Sequence, residues 1–380
     1  MSAGAHLSLK GLTKIYDGRV RAVDGVELDV QDGEFVTLVG PSGCGKSTTL
    51  RMIAGFIDPT AGSIEMNGQD ITALPPNKRD IGMVFQSIAL FPHMTVAENI
   101  SYGMKVANES FSRSEMDERV EEMLELIEMP ETADRYPEQL SGGQQQRIGL
   151  ARSLALRPEI LLLDEPLSAL DEKLREQMQT ELTKIQQELG VTTVFVTHNQ
   201  EEAMTMSDRI VIMDDGHFAQ IGSPEEVYNN PQSTFVADFM GKSNLFPGTV
   251  SERGSRQSTV RTDAGEFVVE DTSFATETSV QLLVRPEDFR MSTTSAPDSK
   301  NMISGTIEIT HLLGSVARYH VSSEQAGQLI VEDQSGGQSV TEGQQVQLSV
   351  DPADCFVIPD PEPAIETNVS EPAKGVYSSE

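Results

Sequence analysis

The stretch Leu140-Ser141-Gly142-Gly143-Gln144-Gln145-Gln146-Arg147 decides how this chain is read, because of what stands on either side of it. Upstream lies Gly40-Pro41-Ser42-Gly43-Cys44-Gly45-Lys46-Ser47, a full match to the phosphate-loop pattern G-x-x-x-x-G-K-[ST]. Downstream, Ile160-Leu161-Leu162-Leu163-Asp164-Glu165 carries an apolar run into two acidic residues. The loop pattern follows the strand-like run Glu34-Phe35-Val36-Thr37-Leu38-Val39 and precedes a helix expected over residues 46–54, stopped by Gly55. Strand, glycine-rich loop and helix are the setting in which such a loop binds nucleotide.

Phosphoryl transfer asks a protein for positioning and charge neutralisation more than for covalent chemistry. Gly40, Gly43 and Gly45 let the backbone fold closely around phosphate groups with amide N–H groups turned inward. Pro41, Ser42, Cys44 and Thr48 complete the expected nucleotide-binding set. Lys46 adds a positive charge at the β- and γ-phosphates, and the Ser47 hydroxyl can ligate Mg²⁺. Asp164, at the end of a buried strand, would hold the metal shell, leaving Glu165 to orient or deprotonate the attacking water. Ser141, Gly142 and Gly143 would open a helix, where hydroxyl and amide groups can receive a γ-phosphate bound elsewhere.

In this order and spacing the three motifs resemble those of the nucleotide-binding subunits of ABC transporters, over roughly residues 6–235. The resemblance implies an α/β, P-loop ABC-type ATPase over residues 6–240, with a helical subdomain near 87–145, using ATP and Mg²⁺. It assigns Gln86 to the glutamine loop beside the metal and water, His198 to the switch histidine at the γ-phosphate, and Tyr16 to adenine stacking. Leu140, Ser141, Gly142, Gly143 and Gln144 would then face ATP held by a second copy of the chain, with Asp171 in a loop coupling the two sites. Transmembrane permease subunits and an extracellular solute-binding protein are the further partners it implies, with the chain on the cytoplasmic face of the cell membrane.

Residues 87–140 read as helical: Met116, Val120, Met123, Leu124 and Ile127 share one face, and Ser114 with Asp117 suggests a capping box. Leu174, Met178, Leu182, Ile185 and Leu189 space out another helix, ending at Gly190, between strand candidates at 161–163 and 192–196. Alternating strands and helices imply a largely parallel sheet covered on both faces. From Gly241 the texture changes. Runs such as Glu266-Phe267-Val268-Val269-Glu270 and Gln345-Val346-Gln347-Leu348-Ser349-Val350 imply a small all-β, OB-like barrel over 241–360, followed by a disordered tail over 361–380.

The formal net charge is −31, from 59 acidic and 28 basic residues; one reading is an acidic interaction surface, the other, favoured because the acids are spread along the chain rather than gathered in a block, is adaptation to a salty cytoplasm where screening removes self-repulsion. A field this negative argues against nucleic acid as the main partner, since phosphate backbones are bound through Lys and Arg. The N-terminus opens without the basic and apolar regions of a signal peptide, and no apolar run reaches the ~20 residues that span a bilayer. Cys44 and Cys355 offer neither a disulfide framework nor metal-ligand spacing.

Within the family, Leu283-Val284-Arg285-Pro286-Glu287-Asp288 and the run His311-Leu312-Leu313-Gly314-Ser315-Val316-Ala317-Arg318-Tyr319 resemble the appended β-barrel of importer ATPases for polyamines, sugars and ferric iron. The segment from Val84 to Val96 is similar to the same group, departing from its pattern at Ile88, where an aromatic is usual. The stretches at residues 197–208 and 239–244 look most like spermidine/putrescine-type ATPases, with sugar or ferric-iron import as the alternative. A reading of another class makes the C-terminal barrel a platform that binds a regulator.

Overall fold

The computed structural model describes residues 6–87, 89–106, 111–270, 272–293, 300–334 and 340–360. The expectations for Ile88 and for the tail at 361–380 lie outside the described residues. The chain divides into two compact units, one of Met1–Gln232 with Val236–Gly241 and the other of Ser233–Phe235 with Lys242–Glu380. Among the described residues, no helix is long and apolar enough to cross a membrane.

The first unit runs β1 (Leu7–Tyr16), β2 (Val20–Val30), β3 (Phe35–Val39), α1 (Lys46–Ile53), β4 (Ala61–Met66), β5 (Gln69–Asp70), β6 (Ile81–Val84), α2 (Val96–Val106), α3 (Arg113–Leu126) and α4 (Gly142–Leu154). It continues with β7 (Ile160–Asp164), α5 (Glu172–Leu189), β8 (Thr192–Thr197), α6 (Gln200–Met206), β9 (Arg209–Asp214), β10 (His217–Gly222) and α7 (Pro224–Asn229). An antiparallel sheet has the order β2-β1-β4-β5, and a six-stranded sheet the order β10-β9-β3-β8-β7-β6. In the latter, β9, β3, β8, β7 and β6 run parallel, while β10 turns back on β9.

Strand β7 shows why this sheet is buried on both faces. Successive side chains point to opposite sides. Leu161 and Leu163 join Phe35 and Phe195 in one core with α2, α3, α4 and α5, while Ile160 and Leu162 join Val36, Leu38, Val194 and Val196 in another with α1. Helix α1 is held at its far end by Arg79, 6 % exposed, whose guanidinium donates to the carbonyls of Met52 at 2.7 Å and Ile53 at 2.6 Å. The last carbonyls of a helix lack i→i+4 partners, although Met52 also accepts the Gly55 N–H at 3.1 Å, and a cation at this end interacts favourably with the helix dipole. Arg119 on α3 does the same for α4, donating to Leu154 at 2.7 Å and Ala155 at 3.0 Å.

The apolar stripe of α3 is as expected, with Val120, Met123, Leu124 and Ile127 buried and Met116 packed against them. Its cap is not. Ser112 Oγ accepts the Glu115 N–H at 3.3 Å, and the Glu115 carboxylate accepts the Ser112 N–H at 2.7 Å. Ser114 instead sits in the first turn and donates to Glu118 at 3.1 Å. The box needs a side chain long enough to reach back to the N-cap, and the Glu three residues after Ser112 meets that need better than the shorter Asp117 after Ser114. Helix α5 ends at Gly190 as expected, in the left-handed region at φ 62°.

The second unit contains β11 (Asn244–Arg253), β12 (Gln257–Thr262), β13 (Gly265–Glu270), β14 (Ser279–Val284), β15 (Arg290–Ser292), β16 (Met302–Leu312), β17 (Ala317–Ser323), β18 (Gly327–Asp333), β19 (Gln345–Ser349) and β20 (Cys355–Pro359). The all-β expectation holds, and the strands divide between two five-stranded antiparallel sheets, β13-β12-β11-β14-β20 and β15-β19-β16-β17-β18. One core takes Phe246, Val260 and Phe267 from the first sheet and Ile303, Tyr319 and Val331 from the second.

Asp288 lies in the turn between β14 and β15, where burial first, and then the carboxylates of Asp354 and Glu287, push its carboxyl up to about 6 from 3.8. A carboxyl raised in this way favours the folded state while protonated, and that contribution is lost as pH rises through about 6. Asp288→Asn is therefore expected to melt at a higher temperature than the parent near pH ~7.5, with the gap closing towards pH ~4. Thermal scans of both proteins across that range check it, and a gap that ignores pH would rule the mechanism out.

Candidate active site

The phosphate loop spans the turn from β3 into α1, and two of its glycines are dictated by close approach. A Cβ on Gly40 would lie 2.1 Å from the Met213 carbonyl oxygen. One on Gly45, at φ 111°, would lie 2.2 Å from the Ala22 carbonyl oxygen. Lys46 is 5 % exposed, and its Nζ donates to the carbonyls of Gly40 at 2.7 Å and Pro41 at 2.9 Å. Cys44 is buried beside it, with Sγ 3.7 Å from Nζ. Burial pushes the thiol up, and the nearby Lys46 charge works against that. Both cysteines are free and buried. Ser42 is exposed at the loop tip, and Pro41, Ser47 and Thr48 are half-buried.

Asp164 ends β7, 4 % exposed, and accepts the Ser47 hydroxyl at 2.9 Å. Arg51, one turn further along α1, places its guanidinium 3.8 Å from the other carboxylate oxygen. Glu165 follows in the left-handed region at φ 46°, its N–H donating to Val196 at 3.0 Å and its carbonyl accepting the Ser168 hydroxyl at 2.9 Å. This backbone setting turns the side chain out of the strand direction. The Glu165 Oε2 lies 3.0 Å from His198 Nδ1 and 3.4 Å from Gln86 Nε2. Gln86 also reaches Ser168 Oγ at 3.4 Å.

The structure therefore brings Lys46, Ser47, Gln86, Asp164, Glu165 and His198 to one edge, at the carboxyl ends of β3, β6, β7 and β8. Ligands of open α/β sheets bind at such edges. Tyr16 ends β1, 38 % exposed, with Lys14 Nζ 5.3 Å from its ring centre. It belongs to the β1–β2 hairpin whose Ala22 packs on Gly45. Leu140 is buried, while Ser141 caps α4 in a box with Gln144, whose carboxamide accepts the Ser141 N–H at 2.9 Å. Among the described residues no hydrogen bond joins Leu140, Ser141, Gly142, Gly143 or Gln144 to the phosphate loop. Asp171 caps α5, accepting the Leu174 N–H at 3.0 Å.

Several groups at the site escaped the motif reading. Arg51 could have been found from its spacing, four residues after Ser47 on a helix. Gln146 donates from α4 to the Pro166 carbonyl, tying the helix of the Leu140–Arg147 stretch to the loop after Glu165. Arg175 and Glu202 lie on α5 and α6, and burial raises the Glu202 carboxyl against the opposing pull of Thr197 and Arg175. Gln146 lies inside the Leu140–Arg147 stretch, but no local pattern marks the contacts that these three make, because their partners come from other elements.

For Mg²⁺ the donor chemistry fits: a hydroxyl and a carboxylate 2.9 Å apart are hard oxygen groups, and this ion takes one or two protein ligands with phosphate oxygens and water for the rest.

The sequence pattern of the ABC transporter family matches residues 23–168, and that of the TOBE domain matches residues 282–358. The chain is 45 % identical over 348 residues to the spermidine/putrescine import ATP-binding protein PotA of Ruegeria pomeroyi, covering 90 % of this chain and 93 % of that one. It is 48 % identical over 313 residues to the protein of the same name from Marinobacter nauticus, covering 81 % and 82 %. Among solved structures it is similar to the dimeric post-hydrolysis state of the ATP-binding cassette MJ0796 bound to ADP and Pi, with TM-score 0.51 and 35 % identity over 57 % of this chain and 98 % of that one.

The left-handed backbone at Glu165 generates a stability test. An L-residue there carries ~1–2 kcal/mol of strain that glycine relieves. Glycine gives back part of that through its unfolded-state entropy. Glu165→Gly is expected to be more stable than Glu165→Ala by ~1 kcal/mol, since both lack the same carboxylate. Denaturant titrations of the pair check this, and a less stable glycine variant would contradict it.

Proposed function

The chain belongs to the family of ABC transporter ATP-binding subunits, and on that basis we propose that it hydrolyses ATP at the β3–β6–β7–β8 edge to drive import of a polyamine of the spermidine/putrescine type. The observation that carries this reading is the contact of one carboxylate, Glu165, with both His198 and Gln86 beside the Ser47–Asp164 pair. A base, two groups that aim it and a metal-ligand pair are the parts that hydrolysis of a phosphoanhydride requires.

Backbone N–H groups of residues 42–48 and the Lys46 charge hold the phosphates, and Tyr16 stacks on adenine. Ser47 and Asp164, with Gln86 at the shell, would hold Mg²⁺, which supplies charge neutralisation at the β- and γ-phosphate oxygens when bound. Glu165 takes the proton of the attacking water. With Nδ1 protonated, His198 donates to Glu165 Oε2 and fixes the direction of that carboxylate. Leu140 to Gln144 receive the γ-phosphate of ATP on a second copy, in which Asp171 meets the opposite site. The dimeric state of the MJ0796 cassette supports this part of the reading.

Permease docking belongs beside the glutamine loop, where the rings of Phe56 and Phe85 meet at a tilt of 55° with centres 5.7 Å apart, the two residues being 53 % and 38 % exposed. Exposed apolar side chains gathered in a patch suit a protein contact. The same reading puts the chain on the cytoplasmic face of the membrane, with a solute-binding protein reached through the complex. Residues 6–240 act as the ATPase, and residues 241–360 as a regulatory domain. Polyamine cargo is supported by the names of the relatives.

Glu165→Gln is expected to lower ATP turnover by ~10³-fold while nucleotide still binds, and to dimerise in saturating Mg-ATP. Cells carrying it in place of the parent should lose uptake of labelled spermidine and keep uptake of maltose-type sugar and ferric iron. Turnover at the parent rate would overturn the catalytic assignment, and loss of a different solute would reassign the cargo.

A further inference from the structure

Four residues beyond His198, Glu202 is 3 % exposed on α6, and the charges of both His198 and Glu165 act on its carboxyl. Its carboxylate accepts the Thr197 hydroxyl at 2.5 Å. The same hydroxyl accepts the Asn199 N–H at 3.0 Å, so the residues on both sides of His198 are fixed by one oxygen whose direction Glu202 sets. Asn199 in turn caps α6, its Oδ1 accepting the N–H groups of Glu201 at 2.8 Å and Glu202 at 3.3 Å.

The other Glu202 oxygen lies 3.7 Å from the Arg175 Nε. Arg175 sits in the first turn of α5 and donates through its second terminal nitrogen to the Leu170 carbonyl at 2.9 Å. Leu170 stands next to Asp171, in the loop that leaves Glu165 and returns to it through Ser168. One buried carboxylate thereby hydrogen-bonds to the segment that carries His198 and, by charge attraction beyond hydrogen-bond range, faces the Arg175 guanidinium that donates to the loop following Glu165. His198 and Glu165 are the two residues that meet at 3.0 Å.

Burying a carboxylate costs several kcal/mol, and an apolar pair of similar volume commonly stabilises a fold as well or better. Stability alone gives little reason for an acid and a guanidinium at this place, whereas a fixed relation between two chain segments does. Resting on the ATPase reading above, we propose that Glu202 and Arg175 are positioning residues: the pair fixes the Glu165–His198 geometry and ties it to the Leu170–Asp171 loop.

The test uses the full chain, with steady-state ATP hydrolysis counted per nucleotide-binding site so that misfolded protein is excluded. Because a 1 Å displacement of a catalytic group is worth ~10²-fold, Glu202→Gln and Arg175→Met are each expected to lower kcat by at least ~10-fold, with KM for ATP within ~2-fold of the parent. The double variant should be no worse than the poorer single one, since both break one connection. Arg175→Lys should recover part of the loss by restoring the charge. Parent-like kcat in both single variants, or losses that multiply in the double variant, would overturn the proposal. Should Glu202→Gln fail to fold, Arg175→Met decides alone, its side chain being 29 % exposed. Glu165→Gln run alongside separates the two failures: if it hydrolyses ATP normally the ATPase reading itself falls, and if it is inactive beside parent-like Glu202→Gln and Arg175→Met only the positioning role falls.

Discussion

The parallel register of β6, β7, β8 and β3 is the constraint on which the site depends. Val84 pairs with Leu163, Asp164 with Val196, and Val39 with Thr197. Three chain segments that leave these strands, at residues 40, 165 and 198, therefore start from neighbouring positions on one edge. Parallel strands cannot be joined by tight turns, so each connection must cross the sheet, and the helices that do so cover both faces. A slip of one residue would exchange the two cores for each other along β7 and carry the Asp164 carboxylate away from Ser47.

A chain with a formal charge of −31 must offer phosphate a strongly local attraction. Lys46 is buried on the carbonyls of its own loop, which keeps its charge within the loop, and α1 begins at that residue. Arg51 adds a second cation on the same helix, near the carboxylate of Asp164. At physiological ionic strength charges farther away than ~8 Å are largely screened, so these near groups outweigh the distant acids. Buried Arg79 and Arg119 each direct part of their donors to the last carbonyls of a helix, while Arg79 also binds the carbonyls of Thr72 and Leu74 and Arg119 pairs with Glu122.

How far the sequence could be read follows the range of each interaction. Strands β3, β7 and β8 announce themselves as apolar runs, and the glycine-rich loop as a pattern, because burial and backbone freedom act residue by residue. The α3 cap was misplaced by two residues, since two overlapping serine-to-acid spacings compete and only side-chain length separates them. The division of the second unit into two sheets was not legible, because strand pairing between residues as far apart as Asn244 and Val284 leaves no local mark. The Gln146 and Arg175–Glu202 contacts were invisible for the same reason.

By itself the sequence determined the kinds of group available for chemistry: a lysine and hydroxyl after a glycine-rich loop, two acids at the end of an apolar strand, and a histidine after another. It also placed glycines at residues 40 and 45, whereas the carbonyls of Met213 and Ala22 that leave no room for a side chain there come from the tertiary structure. Only the tertiary structure decided that Glu165 faces His198 and Gln86 while Asp164 faces Ser47. The physical reason is that adjacent carboxylates are told apart by backbone direction, and the left-handed turn at Glu165 is held by hydrogen bonds to Val196 and Ser168, partners that the sheet and the loop supply.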